Sequence, residues 1–230
     1  SVAISPNASI VVNGSADGRL RLWDIKKGSV VGDPWEGHGD AVRCLDWSPN
    51  AREVASGSDD GTIRRWNPDT GRQIVPSIEA RHGRVYALKY SPQGDKFASG
   101  GEDKVICVWS KEGELLMEIK GHDAGVTSLC WSKDGAHVFS ASSDSTIRKW
   151  QSIDGKELVV FRGHTNVIFP SAFPLMKAIL SVHQWTAQFA SGTSRPTSRL
   201  ETRSCTTTKP GPLSFPLMEN LSSAVPWMER

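Results

Sequence analysis

Short runs of apolar and β-branched residues recur along most of the chain and are separated by polar turns. Within residues 37–66, one run ends at Trp-Ser-Pro, a second run (VASGS) follows, and an Asp-Gly turn leads to a third run that ends at Trp66. Runs of this length, bounded by Ser-Pro, Asp-Gly and Thr-Gly, are typical of short antiparallel strands. We therefore predict strands at 42–47, 53–57, 62–66 and 73–78.

This unit is repeated along the chain. Trp23, Trp66, Trp109 and Trp150 lie 43, 43 and 41 residues apart, and His38, His82, His122 and His164 lie 44, 40 and 42 apart. A fixed period of about 40–45 residues is the sequence signature of a propeller blade of four strands. The predicted repeats are 1–36 (partial), 37–80, 81–120 and 121–162, and 163–168 begins a fifth. The chain begins SVAISPNAS, which matches the middle of a first strand, so we expect a truncated start.

The residues after the fifth Gly-His do not continue the pattern. The segment 169–230 is rich in Ser, Thr, Pro and Arg, which is typical of a disordered tail. However, Phe-Pro-Leu-Met at 173–176 recurs at 215–218, and Trp185 recurs as Trp227, both at an offset of 42. We therefore favour an out-of-frame reading of further repeats from about residue 170 over a native low-complexity tail. Sequencing the transcript across codons 165–175 tests this, because in-frame repeats one base away are required.

Composition narrows the classes of partner and compartment. Lys and Arg total 27 against 25 Asp and Glu, so no strong field of one sign favours nucleic acid or an anionic membrane. The four Cys have unrelated spacings, as expected of buried cysteines in a reducing compartment. No apolar run reaches the length of a membrane span, and no secretory leader is visible. We expect an intracellular, cytoplasmic location, with the nucleus as the alternative.

The recurring Gly-His, Ser-Pro, Ser-Gly-Ser, Asp-Gly and Trp-Asp elements, at these spacings, resemble the WD-repeat β-propeller family. The resemblance covers residues 1–168 and implies an all-β fold of four-stranded antiparallel blades around a central axis. About four blades are readable, so we expect an incomplete ring. The Trp-Asp dipeptide itself occurs only at Trp23-Asp24.

The resemblance also implies a hydrogen-bond network within each blade, joining a His, a Ser, the turn Asp and the Trp. The implied members are His38, Ser56, Asp60 and Trp66; His82, Ser99, Asp103 and Trp109; and His122, Ser140, Asp144 and Trp150. Repeat one keeps Asp17 and Trp23 but has Asn13 at the Ser position and no His, which puts its network in doubt.

A set of Ser, His and Asp could also suggest a nucleophilic triad. The set recurs once per repeat, whereas a catalytic site is built once, so we interpret it as structural hydrogen bonding. No Cys-x-x-Cys or His-x-x-x-His spacing indicates a metal, and no Gly-rich loop precedes a helix as in a phosphate site. We therefore expect no enzyme activity, no metal, no cofactor and no small-molecule substrate.

In the family that the chain resembles, partners usually dock on the face that carries the Gly-His and Asp-Gly turns. The positions that typically reach this face are those beside the first-strand Val and the residue before the turn Asp. Here they are Arg43, Asp59, Arg84, Tyr86, Glu102, Thr127 and Ser143. Their mixed charges favour a folded protein or a charged peptide as partner. The resulting hypothesis is a non-catalytic scaffold for protein–protein interactions; the alternative is a sensor module of a larger signalling protein with an ATPase or kinase portion upstream.

Overall fold

The repeats form four separate antiparallel sheets, called blades 1–4 here, each of four strands hydrogen-bonded in chain order. The computed structural model describes residues 1–74 and 76–163, and within these residues there is no helix. The predicted all-β class, with four-stranded antiparallel blades, is confirmed. No helix long and apolar enough to cross a lipid bilayer occurs in the described part of the chain.

The strands of blades 1 and 2 are β1 (Val2–Ile4), β2 (Ile10–Gly14), β3 (Leu20–Asp24), β4 (Ser29–Trp35), β5 (Val42–Trp47), β6 (Val54–Ser58), β7 (Thr62–Trp66) and β8 (Ile78–Glu79). Those of blades 3 and 4 are β9 (Val85–Tyr90), β10 (Lys96–Gly101), β11 (Ile106–Ser110), β12 (Leu115–Ile119), β13 (Val126–Trp131), β14 (His137–Ser142), β15 (Thr146–Gln151) and β16 (Glu157–Arg162).

Two of the predicted strands of the second repeat need correction. The second strand is β6, one residue later than 53–57. The predicted fourth strand, 73–78, is confirmed only at its ends: among the described residues, Gln73 forms an isolated bridge with Trp66, and Ile78 begins the two-residue β8. Pro76 has no backbone N–H to donate to a ladder, so this segment does not pair continuously with β7.

The turn between the second and third strands requires one residue in the left-handed backbone conformation. Gly18 and Gly61 occupy this position with φ of 76° and 82°, as the Asp-Gly turns predict. Lys104 and Ser145 take the same conformation in blades 3 and 4, with φ of 72° and 66°. The turn geometry is therefore kept even where the glycine is not.

Neighbouring blades pack face to face through one recurring contact. A glycine in the second strand of a blade lies against the first valine of the next blade, and a Cβ added there would lie 2.5–2.6 Å from the valine Cγ1. The pairs are Gly14 with Val42, Gly57 with Val85, and Gly100 with Val126. Because both faces of an inner strand are covered in this way, all five residues of β6 are buried.

Several predictions concern residues outside those described. The fifth repeat beyond Gly163, including His164, and the segment 169–230 lie there, so the out-of-frame hypothesis stays a prediction. All described residues fall within the first of the two units into which the chain divides, 1–187.

Candidate functional site

The side chains of blade 2 implied to form a network lie within hydrogen-bonding distance of one another. His38 precedes β5, Ser56 is in β6, Asp60 is in the following turn and Trp66 ends β7. The Nδ1 atom of His38 is 2.8 Å from Asp60 Oδ2, and its Nε2 atom is 2.7 Å from Ser56 Oγ. The Trp66 indole donates to the same hydroxyl at 2.8 Å. One chain of bonds therefore ties the entry loop, the turn and two strands together.

Blades 3 and 4 repeat this geometry. His82 Nδ1 is 2.8 Å from Asp103 and His122 Nδ1 is 2.8 Å from Asp144. The serine hydroxyls complete the chain between His and Trp in both blades, at 2.7–2.8 Å, through Ser99 with Trp109 and Ser140 with Trp150.

Burial decides the charge states in these networks. Desolvation lowers the pKa of His38, His82 and His122, against the raising effect of the aspartates. A neutral imidazole that donates from Nδ1 to the carboxylate leaves Nε2 free to accept the serine proton. Burial raises the pKa of Asp60, but hydrogen bonds from the Thr62 and Gly39 amides outweigh it and lower the pKa to about 2.

The same burial separates these sets from a catalytic triad. Ser56, Ser99 and Ser140 are all 0% exposed, and each hydroxyl already accepts a hydrogen bond from a tryptophan. A nucleophile must reach its substrate, so a hydroxyl enclosed in this way cannot attack one. The arrangement holds strands together instead.

Blade 1 has a reduced network. The Trp23 indole donates to Asn13 Oδ1 at 2.7 Å, and Arg21 donates to Asp17 at 2.9 Å. Trp23 is 38% exposed, whereas the equivalent Trp66 is 1% exposed. No described residues cover this face of blade 1, so the indole lies partly in solvent.

The residues predicted to bind partners lie at one end of the blades. The amide of the residue before the turn Asp donates to the carbonyl of the entry loop in each of blades 2–4. The pairs are Asp59 with Ala41, Glu102 with Arg84, and Ser143 with Gly125, at 3.0–3.1 Å. We call this region, which contains Arg43, Asp59, Arg84, Tyr86, Glu102, Thr127 and Ser143, the loop end.

A β-bulge presents three of these side chains. In blades 2–4 the register of the first strand shifts by one residue, and Arg43, Tyr86 and Thr127 are the extra residues at these shifts. A bulge redirects the side chain of its extra residue. The three residues line one cavity of about 440 Å³ along the first strands. Arg43 Nε donates to Asp59 at 2.8 Å while its side chain remains 53% exposed.

The network has members that sequence reasoning missed. Thr62 and Thr146 each donate to the turn carboxylate, at 2.8 and 2.6 Å. A Thr two residues after the turn Asp in repeats two and four was the available signal; Val105 replaces it in blade 3. Lys89 and Asp46 form an ion pair of 2.6 Å that joins blades 2 and 3. This pair could not be predicted from the repeat pattern, because it occurs at only one of the described joints.

No group of three or more His, Cys, Asp or Glu side chains suited to a metal occurs in the described ranges. What these residues do present is a set of rigid blades with varied side chains at the loop end.

Comparison with known proteins identifies the repeats. The WD domain, G-beta repeat (WD40) matches residues 1–24, 30–67, 74–110 and 113–151. Short segments are similar to eukaryotic translation initiation factor 3 subunit I of Xenopus laevis (28% identical over 51 residues, 22% of this chain and 16% of the relative). Others are similar to WD repeat and SOCS box-containing protein 1 of Danio rerio (39% over 70 residues, 30% and 16%) and protein Notchless of Drosophila melanogaster (36% over 56 residues, 24% and 11%).

These matches span about a sixth or less of each relative, a length between one and two repeats. WD-repeat proteins generally mediate protein–protein interactions, and the family is typically non-catalytic. The four matched repeats together cover more than half of the sequence, and the chain therefore belongs to the WD40 repeat family.

Proposed function

We propose that this chain is a non-catalytic scaffold that binds other proteins or peptides through the loop end. The observation that carries the proposal is the recurring β-bulge, which offers Arg43, Tyr86 and Thr127 from equivalent positions of three blades. The framework positions of the same blades carry the same residue types, His, Ser, Asp and Trp. Uniform positions hold the blades together, and the varied positions can differ to suit a partner.

The chemistry of the loop end supports a protein or charged peptide as the partner. Arg and Tyr are the residue types that most often anchor interfaces, and both lie beside the cavity. The ion pair with Asp59 holds the Arg43 side chain in place before any partner arrives. A preorganised anchor loses less conformational entropy on binding. The loop end also carries acidic side chains, Asp59 and Glu102, so a uniform polyanion such as nucleic acid fits poorly.

We also propose an intracellular site of action, cytoplasmic or nuclear. Cys44, Cys107 and Cys130 are free and buried, and burial raises the pKa of the Cys44 and Cys107 thiols to about 12. They serve as small apolar side chains, as is usual in a reducing compartment. The matched relatives are similar to this chain over only one to two repeats, so we do not assign their roles to it.

The test is a triple substitution at the loop end, Arg43→Ala, Arg84→Ala and Tyr86→Ala. Partners of the full chain and of the variant are identified by proximity labelling in cells, and their binding is then measured with purified proteins. We expect loss of at least one direct partner, with affinity falling by at least tenfold, because truncating interface anchors costs about 1–2 kcal/mol each.

The matched control is Arg52→Ala, Lys111→Ala and Ile153→Ala. These residues are exposed in turns at the opposite end of the blades. The control variant should keep every partner. Equal partner sets for the full chain and the loop-end variant, or equal losses in both variants, would exclude the loop end as the binding surface.

A further inference from the structure

A second surface lies away from the loop end, on the side of the joint between blades 1 and 2. It is a groove of about 310 Å³ between the β4 strand and the turn after β7. Leu22 and Trp35 form its buried floor. Asp33 and Pro34 of β4 form one wall, and Pro68 and Asp69 of the turn after β7 form the other. We call this region the side groove.

The floor of the side groove contains an unpaired hydrogen-bond donor. Trp35 is only 5% exposed and its ring stacks on Trp66, with centroids 5.8 Å apart. Its indole N–H has no hydrogen bond to a described residue, although the other buried tryptophans of blades 2 and 3, such as Trp47 and Trp109, do donate. The residue lines the groove, so this N–H can donate to the carbonyl of a ligand.

The residue that packs against the polar edge of this indole is a glycine, which has no side chain. Gly71 has a φ of 68°, and a Cβ added there would lie 2.6 Å from both Cδ1 and Nε1 of Trp35. The equivalent glycines pack on apolar atoms at the other joints, Gly113 on Ile78 and Gly155 on the Met117 sulfur. The blade 1–2 joint therefore differs from the other two in offering a donor.

Charge identifies the kind of ligand. The carboxylates of Asp33 and Asp69 line the groove, and neither forms an ion pair with a described residue. No Lys or Arg lies among the lining residues. An anionic ligand would be repelled, whereas a guanidinium or ammonium group would find acceptors on both walls and an apolar floor for its carbon chain.

We propose that the side groove binds a short extended peptide segment of a partner protein that carries an arginine or lysine. The basic side chain lies over the floor with its charge toward Asp33 and Asp69, and a peptide carbonyl accepts the Trp35 indole N–H. This surface shares no residue with the loop end, so it gives the scaffold a second contact that can be tested separately.

The test follows the Trp35 indole N–H signal of the ¹⁵N-labelled full chain by nuclear magnetic resonance. The probe is the acetylated, amidated peptide Gly-Ser-Leu-Arg-Val-Ser-Gly, with matched peptides that carry Gln or Glu in place of Arg. Trp35→Phe identifies the signal. We expect the Arg peptide to shift it with a dissociation constant of about 0.1–1 mM, the range of a short peptide held by few contacts, and the Glu peptide to leave it unchanged.

Asp33→Asn with Asp69→Asn should weaken binding of the Arg peptide roughly fivefold, since two exposed ion pairs are lost. The control pair Glu112→Gln with Asp154→Asn, also exposed in turns, should bind as the unmodified chain does.

Equal shifts with all three peptides, no shift at millimolar peptide, or no effect of the Asp33 and Asp69 substitutions would overturn the proposal. A shift that depends on protein concentration without peptide would also overturn it and assign the groove to a second copy. The loop-end triple variant should bind the peptide normally, so the two proposals fail independently.

Discussion

At the scale of single residues, the serine at the centre of each network is the position that we expect to tolerate substitution least. Ser99 accepts from Trp109 Nε1 at 2.8 Å and lies 2.8 Å from His82 Nε2, and it is 0% exposed. Removal of one hydroxyl leaves two buried polar groups without a partner. Unpaired groups of this kind lose their contact with water without gaining another.

Ser99→Ala should therefore lower the free energy of unfolding by about 2–3 kcal/mol. Urea unfolding followed by tryptophan fluorescence measures this. Ser29→Ala, at an exposed position of β4, is the control and should change the free energy by less than about 0.5 kcal/mol. Similar values for the two variants would mean that the hydroxyl network contributes little.

The buried histidines make stability depend on pH. Burial lowers the folded-state pKa of His38, His82 and His122 below the ordinary 6.5, so the fold favours the neutral form. Their contribution is complete above about pH 6.5 and is lost as the pH falls toward the folded pKa. Asp60, with a folded pKa of about 2 against 3.8, loses its contribution between those two values.

We expect the free energy of unfolding to decline from pH 7.5 to 5.5 and to decline again below pH 4. Urea titrations at each pH measure it. His82→Gln should be less stable at pH 7.5 but show a shallower decline to pH 5.5. A flat profile over that range in the unmodified chain would contradict the assignment of neutral histidines.

At the scale of elements, the blade joint depends on glycines that admit the next blade. A Cβ at Gly100 would lie 2.6 Å from Val126 Cγ1 and 2.9 Å from its Cβ. Real side chains do not approach so closely, so blade 4 would have to move away from blade 3. The joint therefore has little tolerance for added volume.

Gly100→Ala should lower the free energy of unfolding by about 1–3 kcal/mol. Gly39→Ala is the control, because the nearest atom to an added Cβ there is 3.9 Å away. Chemical denaturation of both variants measures the difference. Equal stability of the two variants would show that the joint can expand freely.

The elements also mark the limit of prediction from sequence. Strands β5 and β7 follow directly from apolar runs that end at Trp47 and Trp66, and the turn at Gly61 follows from Asp-Gly. The fourth strand of blade 2 followed only at its ends, because Pro76 interrupts the ladder. The bulge at Arg43 has no local signal, since it depends on the register of two strands. The sequence likewise does not predict that the Trp35 indole N–H lacks an acceptor, because this depends on residues that are distant in the chain.

At the scale of the whole molecule, neighbouring blades cover one another's apolar faces at the three described joints, whereas no described blade covers the outward face of blade 1. Leu45 of blade 2 packs on blade 1 and is only 5% exposed. Val2, at the equivalent position of blade 1, is 66% exposed. Ile4 is 59% exposed beside it. The described blades thus form an incomplete set, in agreement with the expected incomplete ring, and their rigidity comes from networks and joints that leave the loop end free.

The central claim is that uniform positions hold the blades while varied loop-end positions recognise partners. Its most direct test is to measure, on the purified Arg43/Arg84/Tyr86 alanine variant, both the free energy of unfolding and the dissociation constant for a partner of the full chain. We expect binding at least tenfold weaker and a loss of about 1–3 kcal/mol in the free energy of unfolding, because Arg43→Ala leaves the carboxylate of Asp59, whose side chain is 7% exposed, without its ion-pair partner. Unchanged affinity, or weaker binding only in proportion to lost stability, would contradict it.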